Sequence, residues 1–324
     1  MKKIDDYTLI SRIQQTTLSD IYLTSKDGTE TKYSTKVINK STNISEISKK
    51  YIDGEISILK DVNHPNIIKL IEVKEYPNYI YIITEYCNGG DLQSFLDKYV
   101  KENNKGLSEE IVQYLMKQII EAYKYLNNKR IIHRDIKLEN ILINYEDEND
   151  KLNNNIMKAK IKITEFQFSK YLEKGKLTYT TIGSPIIMSP ILLNKLDSDE
   201  NNQDKGYDEK EDIWSLGINF YTLLIGKNPF DAENLNGIKE KVEKGIYMIP
   251  STLSKEAISF MNSMLQYDSN KRLSVQKLSA HKFLKKDVKE FTKLDINEIK
   301  DLLKGSYIEI NTKSNDLIWK LVEN

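Results

Sequence analysis

The N-terminal part of the chain alternates short apolar runs with turns, a pattern typical of β-strands. Segments 20–24 and 32–38 are rich in β-branched and aromatic residues, and a similar run covers 79–84. Between these strands, the segment 51–60 spaces its isoleucine and leucine residues for one face of a helix. We therefore predict an antiparallel sheet with one helix packed on it.

Asn-Gly-Gly-Asp at 88–91 interrupts regular structure. The pattern of the residues that follow predicts mainly helices. Ser108 precedes two glutamates and an apolar set at helical spacing, which predicts a capped, amphipathic helix. The run 213–225 is apolar nearly all round and predicts a buried core helix. Two polar stretches, 146–155 and 197–205, predict surface loops.

Composition narrows the class of protein. The chain has 324 residues, a hydrophobic content of 39% and 48 cationic residues against 48 anionic ones, so its totals indicate neither nucleic acid nor a membrane surface as partner. Cys87 is the only cysteine, which excludes an internal disulfide. There is no signal-peptide pattern and no apolar run long enough to span a membrane. We expect a cytoplasmic monomer.

The most specific chemistry lies in the run His133 to Asn140, which reads His-Arg-Asp-Ile-Lys-Leu-Glu-Asn and follows two isoleucines. This run resembles the catalytic loop of the eukaryotic protein kinases. Further motifs match that family in order from Tyr7 to about Leu284. A chance loop would not be flanked by matching motifs on both sides.

The resemblance implies roles for three residues of this loop. Asp135 is implied to receive or orient the substrate hydroxyl, Lys137 to steady the transferred phosphate, and Asn140 to hold a Mg²⁺ ion. Tyrosine kinases typically have alanine where this chain has Lys137. The resemblance is therefore to the Ser/Thr branch.

The family implies an α+β fold with two lobes, a small antiparallel sheet with one helix and a larger, mainly helical part. The implied bounds are an N-lobe over 1–84, a hinge over 85–91, a C-lobe over 92–285 with an activation segment at about 165–191, and a tail over 286–324. Apolar residues early in the tail predict a weakly amphipathic helix.

The resemblance also implies ATP and Mg²⁺ as cofactors. Lys36 lies on a predicted strand where the family lysine holds the α- and β-phosphates, and Glu55 lies on the following helix where its ion-pair partner is expected. Isolated surface charges are usually only solvated, but the order and spacing of these two favour the functional reading. The positions implied to contact the nucleotide are Ile13, Gln14, Thr16, Ser19, Ile21, Ser34, Lys36, Glu85, Cys87, Asp91 and Leu142.

A regulatory segment is implied further along the chain. Ser184, in Gly183-Ser184-Pro185, is implied to contact Asp135 and Lys137 through its hydroxyl. The chain has only four arginines, yet one of them is Arg134, where a planar guanidinium suits a phosphorylated activation segment. Phosphorylation at Thr180 or Thr181 is therefore a hypothesis for activation.

Two departures from the family affect phosphate and metal binding. The glycine-rich loop is replaced by Gln14-Gln15-Thr16-Thr17-Leu18-Ser19, so no glycine allows close approach of backbone N–H groups to phosphate. The metal-binding Asp-Phe-Gly is replaced by Glu165-Phe166-Gln167. The additional methylene at Glu165 moves the carboxylate by up to about 1.5 Å, and a misplacement near 1 Å can reduce the rate by about 10²-fold.

A third departure lies at 189–191, where Ser-Pro-Ile replaces the usual Ala-Pro-Glu. In the family, the acid at the position of Ile191 pairs with the arginine at the position of Arg272, so Arg272 needs another partner here.

The metal ligands that the resemblance implies are Asn140 and Glu165.

Two classes of function remain open. One is a Ser/Thr protein kinase of impaired activity that phosphorylates a protein substrate, and the other is a pseudokinase that binds a signalling partner, with a nucleotide-gated switch between them. The segments 85–92 and 224–230 resemble the calmodulin-dependent and autophagy-initiating kinase groups. No EF-hand loop or calmodulin-type target helix accompanies them.

Overall fold

A computed structural model describes residues 2–15, 19–40, 45–172, 184–196, 207–293, 298, 307–311 and 316–320. The chain divides into two compact units. The first unit comprises 1–90 with 141–170, and the second comprises 91–140 with 171–324.

The first unit contains an antiparallel sheet of six strands, in the order β1-β2-β3-β4-β6-β5. The strands are β1 (Lys2–Ile4), β2 (Tyr7–Gln15), β3 (Ser19–Lys26), β4 (Lys32–Asn39), β5 (Leu70–Glu75) and β6 (Tyr79–Glu85). The predicted sheet is confirmed. Its strands carry β-branched and aromatic residues because these side chains pack well on a pleated surface.

One long helix, α1 (Glu46–Asp61), accompanies this sheet, also as predicted. It begins earlier than the apolar periodicity indicates, because the hydroxyl of Ser45 accepts the N–H of Ser48 and caps the first turn. Its buried residues include Glu55 as well as apolar side chains. The helix therefore carries a charge into the interior.

A second hairpin, β8 (Ile141–Asn144) with β9 (Lys160–Ile163), completes the first unit. The polar stretch between these strands was predicted as a loop, but it contains the short helix α4 (Glu148–Leu152). The carboxylate of Asp147 accepts the N–H groups of Asn149 and Asp150, which explains how so polar a segment begins a helix.

Among the described residues of the second unit, the regular structure is mainly helical. The helices are α2 (Leu92–Asn103), α3 (Glu109–Asn128), α5 (Pro190–Lys195), α6 (Glu209–Ile225), α7 (Leu235–Lys244), α8 (Lys255–Met264), α9 (Val275–Ser279) and α10 (Lys282–Lys285). Ser108 caps α3 by accepting the N–H of Ile111, and α6 is buried over most of its length. Both features agree with the sequence pattern.

The second unit also contains strands that the sequence pattern did not predict. They are β7 (Ile131–Ile132), β11 (Ile246–Ile249), β12 (Tyr307–Asn311) and β13 (Asp316–Lys320), while β10 (Lys170–Tyr171) has its first residue in the first unit and its second residue in the second unit. β13 lies between β11 and β12 in an antiparallel sheet. The tail helix predicted before these strands lies almost wholly outside the described residues, as does the predicted loop over 197–205.

The compact units differ from the predicted lobes in one respect, since residues 141–170 group with the N-terminal sheet. Along the chain, the first segment of the first unit ends at Gly90 and the second unit begins at Asp91. The predicted lobe, hinge and tail bounds remain predictions. Within the described part of the chain, no helix combines the length and apolarity that a membrane span requires.

Candidate active site

An ion pair between Lys36 and Glu55 lies inside the first unit. The Nζ atom of Lys36, on β4, is 2.9 Å from Oε1 and 3.0 Å from Oε2 of Glu55, on α1. The same Nζ is 3.3 Å from Oε2 of Glu165, which follows β9. The side chains of Lys36 and Glu55 are only 13% and 6% exposed, so these charges interact with little screening by water.

The electrostatics of this cluster are unbalanced. Burial penalises the charged ammonium of Lys36, but the carboxylates of Glu55 and Glu165 outweigh it and raise the pKa of Lys36 above its ordinary value. Burial, together with the Glu165 charge, raises the pKa of Glu55, and Lys36 opposes that rise. Two carboxylates around one ammonium leave an excess of negative charge, which suits an added cation.

Glu165 has an unusual backbone conformation. Its φ of 61° and ψ of 65° lie in the left-handed region, where a non-glycine residue is held at a cost of about 1–3 kcal/mol. The following Phe166 is completely buried and fixes the chain on the far side of Glu165. The protein therefore holds this carboxylate against a local backbone preference.

The first unit contains most positions predicted to contact a nucleotide. Ile21 pairs with Lys36 across β3 and β4, and Ser34 pairs with Thr84 across β4 and β6. Leu142 lies on β8. These positions are thus fixed by the strand registers.

The predicted phosphate loop is described only at its two ends. Gln14 lies within β2 opposite Ile21, and Ile13 beside it is 52% exposed. Ser19 begins β3 and is buried, whereas Thr16 lies outside the described residues. The contact of these four residues with a nucleotide remains a prediction.

The predicted hinge begins with a charged contact that sequence reasoning missed. Glu85 accepts the N–H of Lys69 at 2.8 Å, and its Oε1 is 2.7 Å from Nζ of the buried Lys162. Burial, with the Glu85 charge, raises the pKa of Cys87 to about 12, so the thiol stays neutral. Lys162 and Glu85 lie far apart in the sequence, so no local pattern indicated their contact.

Asp91, predicted to contact the ribose, belongs to the second unit and caps α2. Its carboxylate accepts the N–H and the hydroxyl of Ser94, each at 2.8 Å. This capping role accounts for an aspartate at the start of a helix, and the ribose contact remains a prediction.

The catalytic loop brings four polar side chains together in the second unit. Asp135 accepts the hydroxyl of Ser184 at 2.9 Å on Oδ1 and the side-chain N–H of Asn140 at 2.8 Å on Oδ2. The Nζ of Lys137 is 2.8 Å from Oγ of Ser184. Asp135 is only 4% exposed. The contacts that the sequence implied for Ser184 are present.

Helix α6 anchors this loop. Asp212 accepts the backbone N–H of His133 at 2.7 Å and that of Arg134 at 2.9 Å. Asn219, two turns further along α6, donates to the carbonyl oxygen of Ile136 at 2.8 Å. Arg134 has a φ of 68°, so the loop holds a left-handed residue directly before Asp135.

The predicted regulatory contact joins Arg134 to the activation segment. Arg134 is buried, but Thr180 and Thr181 lie outside the described residues. Activation by phosphorylation therefore remains a hypothesis.

The residues present fit ATP and Mg²⁺. Mg²⁺ is typically held by one or two carboxylates together with substrate phosphates, and Glu165 lies in a cluster with excess negative charge. Within the residues described, no three His, Cys, Asp or Glu side chains gather into an all-protein metal site.

Comparison with known proteins identifies the family. The model of the protein kinase domain matches residues 7–284. The serine/threonine-protein kinase atg1 of Dictyostelium discoideum is 32% identical over 289 residues, which are 88% of this chain and 40% of that protein. A probable serine/threonine-protein kinase of the same organism is 33% identical over 259 residues, or 80% of this chain and 28% of that protein.

Myosin light chain kinase A of Dictyostelium discoideum is 34% identical over 274 residues, which are 82% of this chain and 84% of that protein. The chain thus spans less than half of the first two relatives and most of the third. The predicted α+β fold and the resemblance to the Ser/Thr branch are confirmed. The chain belongs to the protein kinase family, in its Ser/Thr branch.

Proposed function

We propose that this chain transfers the γ-phosphate of ATP to Ser or Thr hydroxyls of a protein substrate, with Mg²⁺ and at a reduced rate. The observation that carries the proposal is the cluster around Asp135. Its carboxylate is held by Asn140 and Ser184, and Lys137 lies against Ser184. A carboxylate fixed in this way can orient an attacking hydroxyl.

Each residue has one step in this mechanism. Asp135 orients the hydroxyl and accepts its proton as the hydroxyl oxygen bonds to the γ-phosphorus, while the bond from that phosphorus to the bridging oxygen of the β-phosphate breaks and ADP leaves. Lys137 offers its ammonium to the transferred phosphoryl oxygens, and Lys36, held by Glu55, offers its own to the α- and β-phosphates. Asn140 and Glu165 are the proposed metal ligands, and Mg²⁺, when bound, neutralises charge on the phosphates.

The reduced rate follows from the two altered motifs. Without glycines at 14–19, backbone N–H groups approach the phosphates less closely. Glu165 contacts Lys36 and has a longer side chain than the aspartate usual in the family. Both changes weaken the positioning of phosphate and metal, on which phosphoryl transfer depends.

A second candidate function is binding without turnover. The observation that favours it is the Lys36–Glu165 contact of 3.3 Å. An ammonium that is already paired with protein carboxylates binds a phosphate less strongly. In this case the chain acts as a pseudokinase, with or without nucleotide, on a signalling partner.

A two-part experiment separates these functions. The first part is a thermal-shift titration with ATP, with and without Mg²⁺, and the second is a radiolabel phosphotransfer assay with Asp135→Asn as the blank. We expect a Mg²⁺-dependent shift and incorporation above the blank. Incorporation equal to the blank contradicts the kinase function, and the absence of any nucleotide shift contradicts the switch as well.

Three further parts of the proposal concern regulation and setting. Phosphorylation of Thr180 or Thr181 increases activity, because Arg134 binds the phosphate. Replacing both threonines by alanine should therefore lower activity, and unchanged activity contradicts this part.

The protein is a cytoplasmic monomer, which cell fractionation and sedimentation test. The resemblance of segments 85–92 and 224–230 to the calmodulin-dependent and autophagy-initiating kinase groups supports a proposed relation to them.

A further inference from the structure

A buried tyrosine supports the residue that anchors the catalytic loop. The hydroxyl of Tyr207, just before α6, donates to Oδ1 of Asp212 at 2.6 Å. Tyr207 is 2% exposed and Asp212 is completely buried. A hydrogen bond of this length between a hydroxyl and a carboxylate is of the strong, charge-assisted kind.

Both carboxylate oxygens of Asp212 accept hydrogen bonds from the catalytic loop. Oδ2 accepts the N–H of His133, while Oδ1 accepts the N–H of Arg134 and the hydroxyl of Tyr207. A buried carboxylate must be satisfied by donors to remain charged. The hydroxyl also fixes the plane of the carboxylate, because rotation of the side chain would lengthen these contacts together.

The backbone that this carboxylate holds is strained. Arg134, at a φ of 68°, is in a conformation that costs an ordinary residue free energy. Asp135 follows immediately, and the direction of its side chain depends on that conformation. A change at Asp212 therefore reaches Asp135 through two peptide units.

Tyr207 stays a donor under ordinary conditions. Burial, together with the Asp212 charge, raises the pKa of Tyr207 far above its ordinary value. The hydroxyl accordingly keeps its proton throughout the pH range of a normal assay.

We propose that Tyr207 is a positioning residue for phosphoryl transfer, whose hydroxyl fixes the Asp212 carboxylate and thereby aims Asp135. Nothing in the sequence motifs assigns this residue a part in the reaction. The catalytic half of the inference rests on the proposed kinase function, whereas the contact with the loop does not.

The test compares Tyr207→Phe with the matched control Tyr221→Phe. Tyr221 is equally buried in the second unit, but its hydroxyl donates to the carbonyl oxygen of Met248, at 2.9 Å. Each variant loses one buried hydroxyl. Any general loss of stability is therefore measured by the control.

The first readout is amide hydrogen exchange at His133 and Arg134 in the full chain. We expect exchange at these amides to rise about tenfold or more in Tyr207→Phe, since a hydrogen bond to a charged group is lost, and to match wild type in Tyr221→Phe. Equal exchange in both variants would overturn the inference. This readout requires no catalytic activity.

The second readout is steady-state kinetics with ATP and a peptide substrate. We expect kcat to fall about tenfold in Tyr207→Phe with KM for ATP unchanged, because the loss lies in the aim of Asp135 and not in nucleotide binding. A kcat equal to that of Tyr221→Phe overturns the positioning role. An inactive wild-type protein contradicts the proposed function instead, and the exchange experiment then decides the contact by itself.

Discussion

Arg272 and Glu211 form an ion pair in the interior of the second unit. Nη1 of Arg272 is 3.3 Å from Oε1 of Glu211, and the two side chains are 0% and 3% exposed. The guanidinium also lies 5.1 Å from the centre of the Trp214 ring. The family's usual acid is absent because Ile191 takes its place, and Glu211, at the start of α6, supplies a carboxylate from another element.

We predict that Glu211→Gln destabilises the protein strongly. Removing one partner of a buried ion pair costs about 3–5 kcal/mol, because the other charge stays buried without compensation. Burial lowers the pKa of Arg272 and Glu211 opposes that effect, so this carboxylate compensates part of the cost of burying the guanidinium charge. Hydrogen bonds from Arg272 to backbone carbonyls place the expected cost at the lower end. Urea unfolding measures it.

The control for this prediction is Glu240→Gln. Glu240 pairs with Lys244 on the surface of α7, and such exposed pairs contribute little. The urea midpoint should remain close to that of wild type. Equal midpoints for the two variants would show that the Arg272 pair does not stabilise the fold.

We predict that Glu165→Asp raises phosphotransfer activity. The shorter side chain returns the carboxylate to the family's position, and aspartate tolerates a positive φ better than glutamate does. The expected gain is about tenfold to 10²-fold in kcat/KM at saturating Mg²⁺. Radiolabel incorporation from ATP is the measurement.

Glu165→Gln is the matched control, since it keeps the length of the side chain and removes its charge. It should lower activity, because the excess negative charge near Lys36 is lost. If Glu165→Asp is no more active than wild type, the methylene is not what limits the rate.

We predict that Asp208→Asn stabilises the protein at neutral pH more than at acidic pH. Asp208 caps α6, and burial, with the charges of Glu209 and Glu211, raises its pKa to about 6, against the N–H of Lys210 and the Arg272 charge. The folded state thus holds a proton on Asp208 between about pH 4 and pH 6 that the unfolded chain has released. The contribution of Asp208 to the free energy of unfolding therefore falls as the pH rises from about 4 to about 6.

Thermal unfolding at pH 4.5 and pH 7.5 tests this linkage. The Tm of Asp208→Asn should exceed that of wild type by a larger margin at the higher pH, because asparagine caps the helix without a charge. Asp208→Ser, another capping residue without a carboxylate, should show the same trend. A margin that does not change with pH would contradict the raised pKa.

We predict that Ile318→Pro disrupts the pairing of β13 with β11. Ile318 pairs with Met248 of β11 on one side and with Glu309 of β12 on the other. Proline lacks the N–H of the ladder and is not tolerated in a central strand. Amide exchange over 246–249 should increase, while Ile318→Val, which keeps the N–H, should leave it unchanged. Unchanged exchange in the proline variant means that the tail does not protect β11.

Local patterns in the sequence determined a large part of this protein. The alternation in the N-terminal strands, the cap at Ser108 and the apolar run of α6 each depend on residues close together in the chain, so their structure follows from neighbours. The unbroken motif at 133–140 likewise identified the candidate site, and the resemblance to the family implied the contacts of Ser184 with Asp135 and Lys137. The catalytic roles of Asp135, Lys137 and Asn140 in this motif remain proposals.

Only the tertiary structure decided which distant residues meet. The ion-pair partner of Arg272 is Glu211, and that of Glu85 is Lys162. Polar side chains with no periodic pattern around them can pair with many candidates, and burial in a packed interior selects one of them. The tail strand beside β11 has the same cause, because a strand's partner depends on which edge the fold leaves open.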